Sequence, residues 1–322
     1  MLDLGKLKNL SAWPQMRGDI ESALLAVLGD LPKERVEPQA KTVDETEHAG
    51  YVRKRVNYFV DGWERVSAWL FVPDGKEEAP AIVCCHRETP AGKDEAAGIE
   101  GDMRLAFAQH YAELGYVTLA PDCLTAGERR VSSAKPFDTK QYYKSNTKLS
   151  FAGRMLVDHM YALDLLEEQK RVDAARIGVI GHGLGAFNAL LLAAFDDRVR
   201  ACVASCGFTR FATDKDPQRW ARAEGMCLLP ELRKRLDSGD FAFDWEHILA
   251  LAAPSPTLII TSTSDTPFAN PKSCEKAVTL AGRVYKLLGA RTAIDHQEHQ
   301  QGFNNFTRET LEIADEWFER WL

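Results

Sequence analysis

The sequence predicts an α/β protein with a mainly parallel central sheet, helices on both faces and an antiparallel hairpin towards its N-terminus. From residue 80 onward, short apolar runs typical of buried strands alternate with helical segments, which is the pattern of a parallel sheet covered on both faces. Before them, two alternating runs at 51–60 and 64–72 are joined by Asp-Gly. That dipeptide between two such runs is a strong hairpin signal.

The remaining elements follow from periodicity and from turn residues. An amphipathic helix over 15–28 ends near Gly29. The later strands are expected at 80–86, 116–121, 176–181, 199–205, 256–262 and 291–295. The later helices are expected at 101–114, 148–169, 184–195, 271–288 and 307–322.

We expect a single domain over 1–322, with a helical extension at 1–50. Two long irregular segments, 122–147 and 207–247, leave the sheet at the carboxyl ends of strands. Ligands bind at those ends in parallel sheets, so both segments are expected to be lid-like inserts.

Composition restricts the function classes. The formal net charge is −7 and the isoelectric point is about 5.7, which argues against a nucleic-acid partner. The seven cysteines include no C-x-x-C pair, so neither a disulfide framework nor a zinc site is expected. The N-terminus has charged residues where a signal peptide needs an apolar run, and no stretch is long enough to span a membrane. We therefore expect a cytoplasmic protein without a cofactor or metal.

The segment 178–187, GVIGHGLGAF, is the centre of the functional question. It has the form of the G-x-S-x-G turn that carries a nucleophilic serine between a strand and a helix, but Gly183 stands at the serine position. The same segment fits the dinucleotide-binding pattern G-x-G-x-x-A at 181–186. That pattern also needs an acidic residue at the end of the next strand, and 204–207 contain none.

Several longer segments resemble one known family. They are PAIVCCHRETPAGKDEAAGIEG, AELGYVTLAPDCLTAGER, the whole stretch from VDAARIGVIGHGLGAF to VASCGFTRF, and SDTPF. From about residue 50 to the C-terminus the sequence is similar to the dienelactone-hydrolase and acetyl-xylan-esterase-like branch of the α/β-hydrolases. The resemblance implies the α/β-hydrolase fold and acyl transfer on a carboxylic ester or lactone.

The resemblance also implies roles for particular residues. In the family a serine attacks, a histidine takes its proton and an acid orients the histidine. The acid position falls on Asp265, and the two oxyanion amides fall on Leu184 and Arg87. The histidine position falls on Asn304 when the alignment has no gap. With a short insertion it falls on His299 or His296, of which we favour His299 because it is nearer the last helix.

A glycine at the nucleophile position leaves two main alternatives open. A water molecule held by the Leu184 amide and a histidine replaces the serine oxygen, which gives hydrolysis without an acyl-enzyme. Otherwise the chain is a catalytically inactive relative, a protein that binds a small molecule such as a carboxylate, or a scaffold. Dinucleotide binding through 181–186 is the third alternative.

Other polar residues near the expected pocket have structural explanations beside functional ones. His86 and His182 are more typical of buried structural histidines than of catalytic ones. Cys123 is either a displaced nucleophile activated by a histidine or an inert buried thiol. The run 295–299, DHQEH, lacks the H-E-x-x-H spacing of a zinc motif. Arg129 either holds its loop or binds an anionic substrate.

Overall fold

The computed structural model describes residues 2–62, 64–130, 134–146, 148–263, 270–299 and 306–322. The strands in these ranges are β1 (Lys41–His48), β2 (Tyr51–Val60), β3 (Glu64–Pro73), β4 (Ala79–Cys85), β5 (Val117–Pro121), β6 (Val172–His182), β7 (Val199–Ser205), β8 (Thr257–Ser262) and β9 (Ile294–His299). The helices are α1 (Trp13–Leu28), α2 (Lys93–Ala96), α3 (Phe107–Glu113), α4 (Lys140–Ser145), α5 (Phe151–Glu167), α6 (Leu184–Phe195), α7 (Arg233–Ser238), α8 (Trp245–Leu251), α9 (Pro271–Leu287) and α10 (Arg308–Trp321).

All these strands join one sheet in the order β1-β2-β3-β5-β4-β6-β7-β8-β9. The strands from β1 to β3, and the pairing of β3 with β5, are antiparallel. From β5 through β4 to β9 the pairing is parallel. The carboxyl ends of the parallel strands therefore meet at one edge, where the loops after β4, β5 and β6 lie side by side.

The sheet has a hydrophobic core on each face. Side chains of α1, α5, α6, α8 and α9 cover one face. Side chains of α3 and α10 cover the other. The predicted α/β fold with helices on both faces is confirmed.

The hairpin of β2 and β3 forms as predicted. Asp61 and Gly62 in its turn both have positive φ, 56° and 78°. Two consecutive positive φ angles are the requirement of a type I′ turn, which explains the Asp-Gly pair. The helix after the elbow and the following strand also begin and end at the predicted residues, 184–195 and 199–205.

Three predicted elements need correction. Residues 41–48 of the proposed helical extension form β1, a strand whose residues are all exposed. The helix expected at 101–114 is shorter, because α3 begins only at Phe107 after a 3₁₀ turn. The last strand runs over Ile294–His299 instead of 291–295, so His296 and His299 lie in a strand and not in a loop.

The cysteines are all buried and unpaired, as expected for small core residues. In the described ranges, no helix has the length and apolar character needed to cross a membrane.

Candidate active site

The turn between β6 and α6 has the backbone geometry of a nucleophile elbow, with a glycine at the serine position of the pattern. Gly183 has φ 57° and ψ −122°. Its amide donates to the carbonyl of Ser205 at 2.9 Å, and its carbonyl accepts from Phe187 at 3.1 Å. Such a conformation strains any residue with a Cβ, whereas glycine adopts it freely. The strand-turn-helix frame of the predicted elbow is therefore present at Gly183.

The other glycines of this segment allow close packing of α6 on the sheet. A Cβ at Gly185 would lie 2.0 Å from the carbonyl oxygen of Cys85. A Cβ at Gly181 would lie 2.2 Å from the carbonyl carbon of Gly185. Backbone packing thus explains the glycine pattern at 181–186, and nothing in its geometry requires a dinucleotide.

The amide predicted to hold the oxyanion already binds a carboxylate. The Leu184 N–H donates to Oε2 of Glu88 at 3.0 Å. This amide lies at the N-terminus of α6, where the unpaired N–H groups and the helix dipole favour negative charge. An exposed carboxylate from the loop after β4 therefore accepts from the first amide of α6.

Sequence reasoning missed Glu88. It lies two residues beyond His86 in the loop where the family's second oxyanion amide is expected, which was the available signal. Its contact with Leu184 joins residues 96 positions apart, so no local pattern reveals it.

Arg87 fixes the same loop through its side chain. Its Nε and Nη2 donate to the two carboxylate oxygens of Glu95 at 2.9 and 2.8 Å. Glu95 is almost fully buried, and this pairing raises the pKa of Arg87. The oxyanion role expected for the Arg87 amide stays a prediction.

A buried ion pair ties the loops after β4 and β5 together. Lys93 Nζ contacts Asp122 Oδ2 and Glu128 Oε1, each at 2.9 Å. The Asp122 carboxylate also accepts from the amides of Lys93 and Glu128. Gly92 and Gly127 leave room for it, since a Cβ at either would lie within 2.4 Å of that carboxylate. These contacts explain why the two family-like segments, PAGKDE and PDCLTAGER, occur together.

Arg129 anchors its loop through ion pairs with two carboxylates. Its side chain is 5% exposed and pairs with Asp158 and with Glu64, the latter at 2.6 Å. Burial disfavours the cation, but the two carboxylates outweigh burial and raise the pKa of Arg129.

His86 and Cys123 lie together in the buried wall behind the elbow. His86 Nε2 accepts from the Cys123 amide at 2.9 Å, and Nδ1 lies 2.6 Å from the Arg87 carbonyl. Both ring nitrogens of His86 therefore contact backbone groups, one in the loop after β4 and one in the loop after β5. These contacts join the loops after β4 and β5, and the structural role expected for His86 stays a prediction.

The Cys123 thiol has an unusual environment but no access to solvent. Burial disfavours its thiolate, yet the rings of His86 and His159 outweigh burial and lower the pKa of Cys123 to about 6. Asn188 Nδ2 lies 3.6 Å from the sulfur. Since the residue is only 2% exposed, a substrate does not reach the sulfur without rearrangement.

His182 packs beneath the elbow. It is 2% exposed, and Nδ1 lies 3.0 Å from the Ser205 hydroxyl. Its ring meets the edge of Phe306 at a centroid distance of 6.0 Å. These contacts make it a structural residue of the turn.

His296 and His299 both lie on β9, and the base role expected for His299 stays a prediction. His299 pairs in register with Ser262. Because β9 is the third strand from β6, the backbones of these two strands are about 14 Å apart. His296 Nε2 lies 2.7 Å from Thr261 Oγ1. It is three residues from His299 in the same strand, so the two side chains face opposite sides of the sheet. Burial lowers the pKa of both histidines.

Asp265 and Asn304 lie outside the described residues, so their placement is not described. Within the described ranges, no group of three or more His, Cys, Asp or Glu side chains is arranged to hold a metal ion.

The aromatic residues of the second insert pack on α6 and on one another. Phe187 stacks on Trp220 at 5.8 Å, and Phe208 stacks on Trp245 at 4.6 Å. All four side chains are buried, so they fix the insert on the sheet.

Comparisons with known proteins relate the chain to hydrolases and esterases. A model of the dienelactone hydrolase family matches residues 66–225, a range that includes β4, the Glu88 loop and the elbow. The YtaP protein of Bacillus subtilis (strain 168) is 28% identical over 285 residues, which cover 85% of this chain and 90% of YtaP. Esterase FrsA of Enterobacter sp. (strain 638) is 23% identical over 320 residues, which cover 95% of this chain and 68% of FrsA.

Solved esterase structures share the fold. A promiscuous CE15 esterase from the marine bacterial metagenome superposes with a TM-score of 0.76 at 16% identity and covers 98% of this chain and 94% of its own. A glucuronoyl esterase from Solibacter usitatus also gives a TM-score of 0.76 at 16% identity, with coverages of 97% and 94%. At this identity the likeness shows the architecture and not the substrate.

Proposed function

The chain is an α/β-hydrolase of the dienelactone-hydrolase-like branch, and from that premise we propose that it hydrolyses carboxylic esters by direct attack of water. Glu88 is the general base, and the Leu184 amide is an oxyanion donor. The observation that carries this assignment is the hydrogen bond of 3.0 Å from Leu184 N–H to Glu88 Oε2, beside the side-chain-free Gly183.

In the resting protein the Glu88 carboxylate occupies the place of the substrate's carbonyl oxygen. The side chain is exposed and has no other hydrogen bond among the described contacts, so an entering ester can displace it. The displaced carboxylate stays beside the reacting carbon, at the side where a serine oxygen would project from residue 183. Gly183 leaves that space to a water molecule.

The chemical step balances without a covalent intermediate. The water oxygen forms a bond to the carbonyl carbon while Glu88 takes a proton from the water. The carbonyl oxygen becomes an oxyanion and accepts from the Leu184 amide. On collapse the ester C–O bond breaks, and the proton on Glu88 goes to the leaving alkoxide. The products are a carboxylic acid and an alcohol.

A carboxylate that accepts a proton suits this position better than a carboxylate that stays ionised. A carboxylate that stayed ionised next to a developing oxyanion would repel it. Glu88 loses its negative charge by accepting the proton at the moment the oxyanion forms. The site therefore carries about one negative charge throughout the reaction.

The sequence-based candidates keep defined places in this proposal. Asp265 remains the candidate for the family's acid, and His299 remains a second candidate base. We assign the base role to Glu88 because it touches the elbow amide, whereas His299 lies on β9, the third strand from β6.

The test measures hydrolysis of a small activated ester by the native chain and by Glu88→Gln. Removal of a general base reduces kcat/KM by about 100-fold or more. The matched control is Glu100→Gln, which makes the same chemical change at another exposed carboxylate, in the segment that follows α2. Full activity in Glu88→Gln together with a loss in His299→Ala or Asp265→Ala would move the base role to the histidine.

The second candidate function is that of a non-catalytic binding protein. The contact between Leu184 N–H and Glu88 favours it if Glu88 never leaves that amide. In that case the native chain has no esterase activity. Activity that arises only in Gly183→Ser would support this alternative, since one substitution would then restore a retired site.

A further inference from the structure

The two lid-like inserts enclose a cleft between them at the carboxyl edge of the sheet. One wall comes from residues 134–144 of the first insert and the other from 222–233 of the second. The cleft has a volume of about 1280 Å³, which is large for a small-molecule site. The mechanism above uses none of the residues that line it.

The charge of this cleft is opposite to that of the whole chain. The protein has a net charge of −7, yet the described lining has five cationic side chains and two carboxylates. The carboxylates are Asp138 and Glu224. The cationic residues are Lys135, Lys140, Lys144 and Arg233, together with Arg222, which pairs with Asp216 at 2.8 Å.

Arg233 is fixed in position without an anionic partner. Its Nε donates to the Ala221 carbonyl at 2.8 Å, and Nη2 donates to the Arg222 carbonyl at 3.0 Å. Among the residues that the structure describes, no carboxylate forms a salt bridge with Arg233 or with the three lysines of the lining. Backbone carbonyls thus hold this guanidinium in place and leave its charge uncompensated, which prepares it for an external anion.

Hydrogen bonds across the two inserts hold the walls together. Thr139 donates through its amide and its hydroxyl to the Gly225 carbonyl, each at 3.0 Å. The Cys227 amide donates to the Thr139 hydroxyl at 3.2 Å, and the Tyr143 hydroxyl donates to the Cys227 carbonyl at 2.9 Å. The cleft is therefore a formed feature and not a chance gap between two loops.

Both walls are connected to the elbow by ring contacts. Phe137, in the first wall, lies 6.4 Å from the His86 ring. Trp220, just before the second wall, stacks on Phe187 of the helix that follows Gly183. A ligand in the cleft is thus held by the same two inserts that border the elbow.

We propose that this cleft binds a small multivalent oxyanion through its lysines and the fixed Arg233. Combined with the esterase function proposed above, on which this second step rests, the cleft selects esters that carry additional acidic groups.

Calorimetric titration with citrate, and separately with inorganic pyrophosphate, tests the site without any ester. We expect binding by the native chain that weakens strongly when salt rises from 20 to 200 mM, because the lysines are exposed. Binding of citrate identifies carboxylates as the preferred groups, and binding of pyrophosphate alone identifies phosphates. Absence of binding by both anions at low salt overturns the proposal.

Two double variants locate the binding. Lys140→Gln with Lys144→Gln removes two charges from the exposed face of α4. It should lower the affinity for the anion about tenfold, about threefold for each lysine. Lys76→Gln with Lys170→Gln removes the same charge from exposed positions before β4 and β6, at the opposite edge of the sheet. Equal weakening in both double variants would mean that only net charge matters and would refute the cleft. A negative result leaves the role of Glu88 untouched, since no hydrolysis is measured.

Discussion

Replacement of Gly183 by serine tests whether the elbow still has the backbone of a nucleophile turn. Gly183 has φ 57° and ψ −122°, a conformation that costs a residue with a Cβ about 1–3 kcal/mol. Serine also lowers the conformational entropy of the unfolded chain, which stabilises the folded state by about 0.4–1 kcal/mol. From the middle of each range, the net expectation is a loss of about 1.3 kcal/mol in the free energy of unfolding.

This loss converts to a measurable melting shift. The unfolding entropy of 322 residues is about 0.7 kcal/mol/K, so Gly183→Ser should melt about 2 °C below the native chain in calorimetry. Gly18→Ser is the control, because Gly18 lies in α1 with open space around a new Cβ and an ordinary helical φ. An unchanged or raised melting temperature in Gly183→Ser, beyond any rise in Gly18→Ser, would refute the strained elbow.

Three further predictions concern packing, the buried ion pair and pH. Gly185→Ala should lower the free energy of unfolding by about 3 kcal/mol or more, because the new Cβ would lie 2.0 Å from the Cys85 carbonyl oxygen. A variant with the same urea midpoint as the native chain would contradict that contact. Lys93→Met should lower stability by about 3–5 kcal/mol, since it leaves the buried Asp122 carboxylate without its cation; a loss below 1 kcal/mol in the same assay would disprove the pairing. His296 has a lowered pKa in the folded state, so the unfolded chain binds more protons and stability falls as pH drops below about 6.5. His296→Gln should reduce that acid-dependent fall in melting temperature, and an identical pH profile would exclude the histidine as its source.

Local sequence patterns predicted the buried parts of the fold well. The strands and helices around the elbow alternate as continuous apolar runs, and burial on both faces produces that pattern. The Asp-Gly hairpin was predictable because its turn needs two positive φ angles.

The polar edge strands were not predictable in the same way. All eight residues of β1 are exposed, and β9 carries DHQEH after its single apolar residue. Edge strands held mainly by backbone hydrogen bonds need no apolar alternation, and charged side chains protect them from pairing with other chains. The sequence therefore gave β9 wrong bounds and placed His299 in a loop.

The site was predictable as a frame but not as a set of contacts. Gly183 and the Leu184 amide follow from the elbow pattern. The Glu88 contact depends on how the β4 loop folds back over the start of α6, and Lys93, Asp122 and Glu95 set that course through buried side-chain contacts. Such long-range contacts leave no periodic signal in one sequence.

In the proposed mechanism Glu88 is the base at an elbow with glycine at the nucleophile position. The most direct measurement is the ratio of kcat/KM for an activated ester between Glu88→Gln and Glu100→Gln, with both variants shown to melt near the native temperature. We predict a ratio of about 0.01 or lower, as expected for loss of a general base. A ratio near 1 would contradict the assignment.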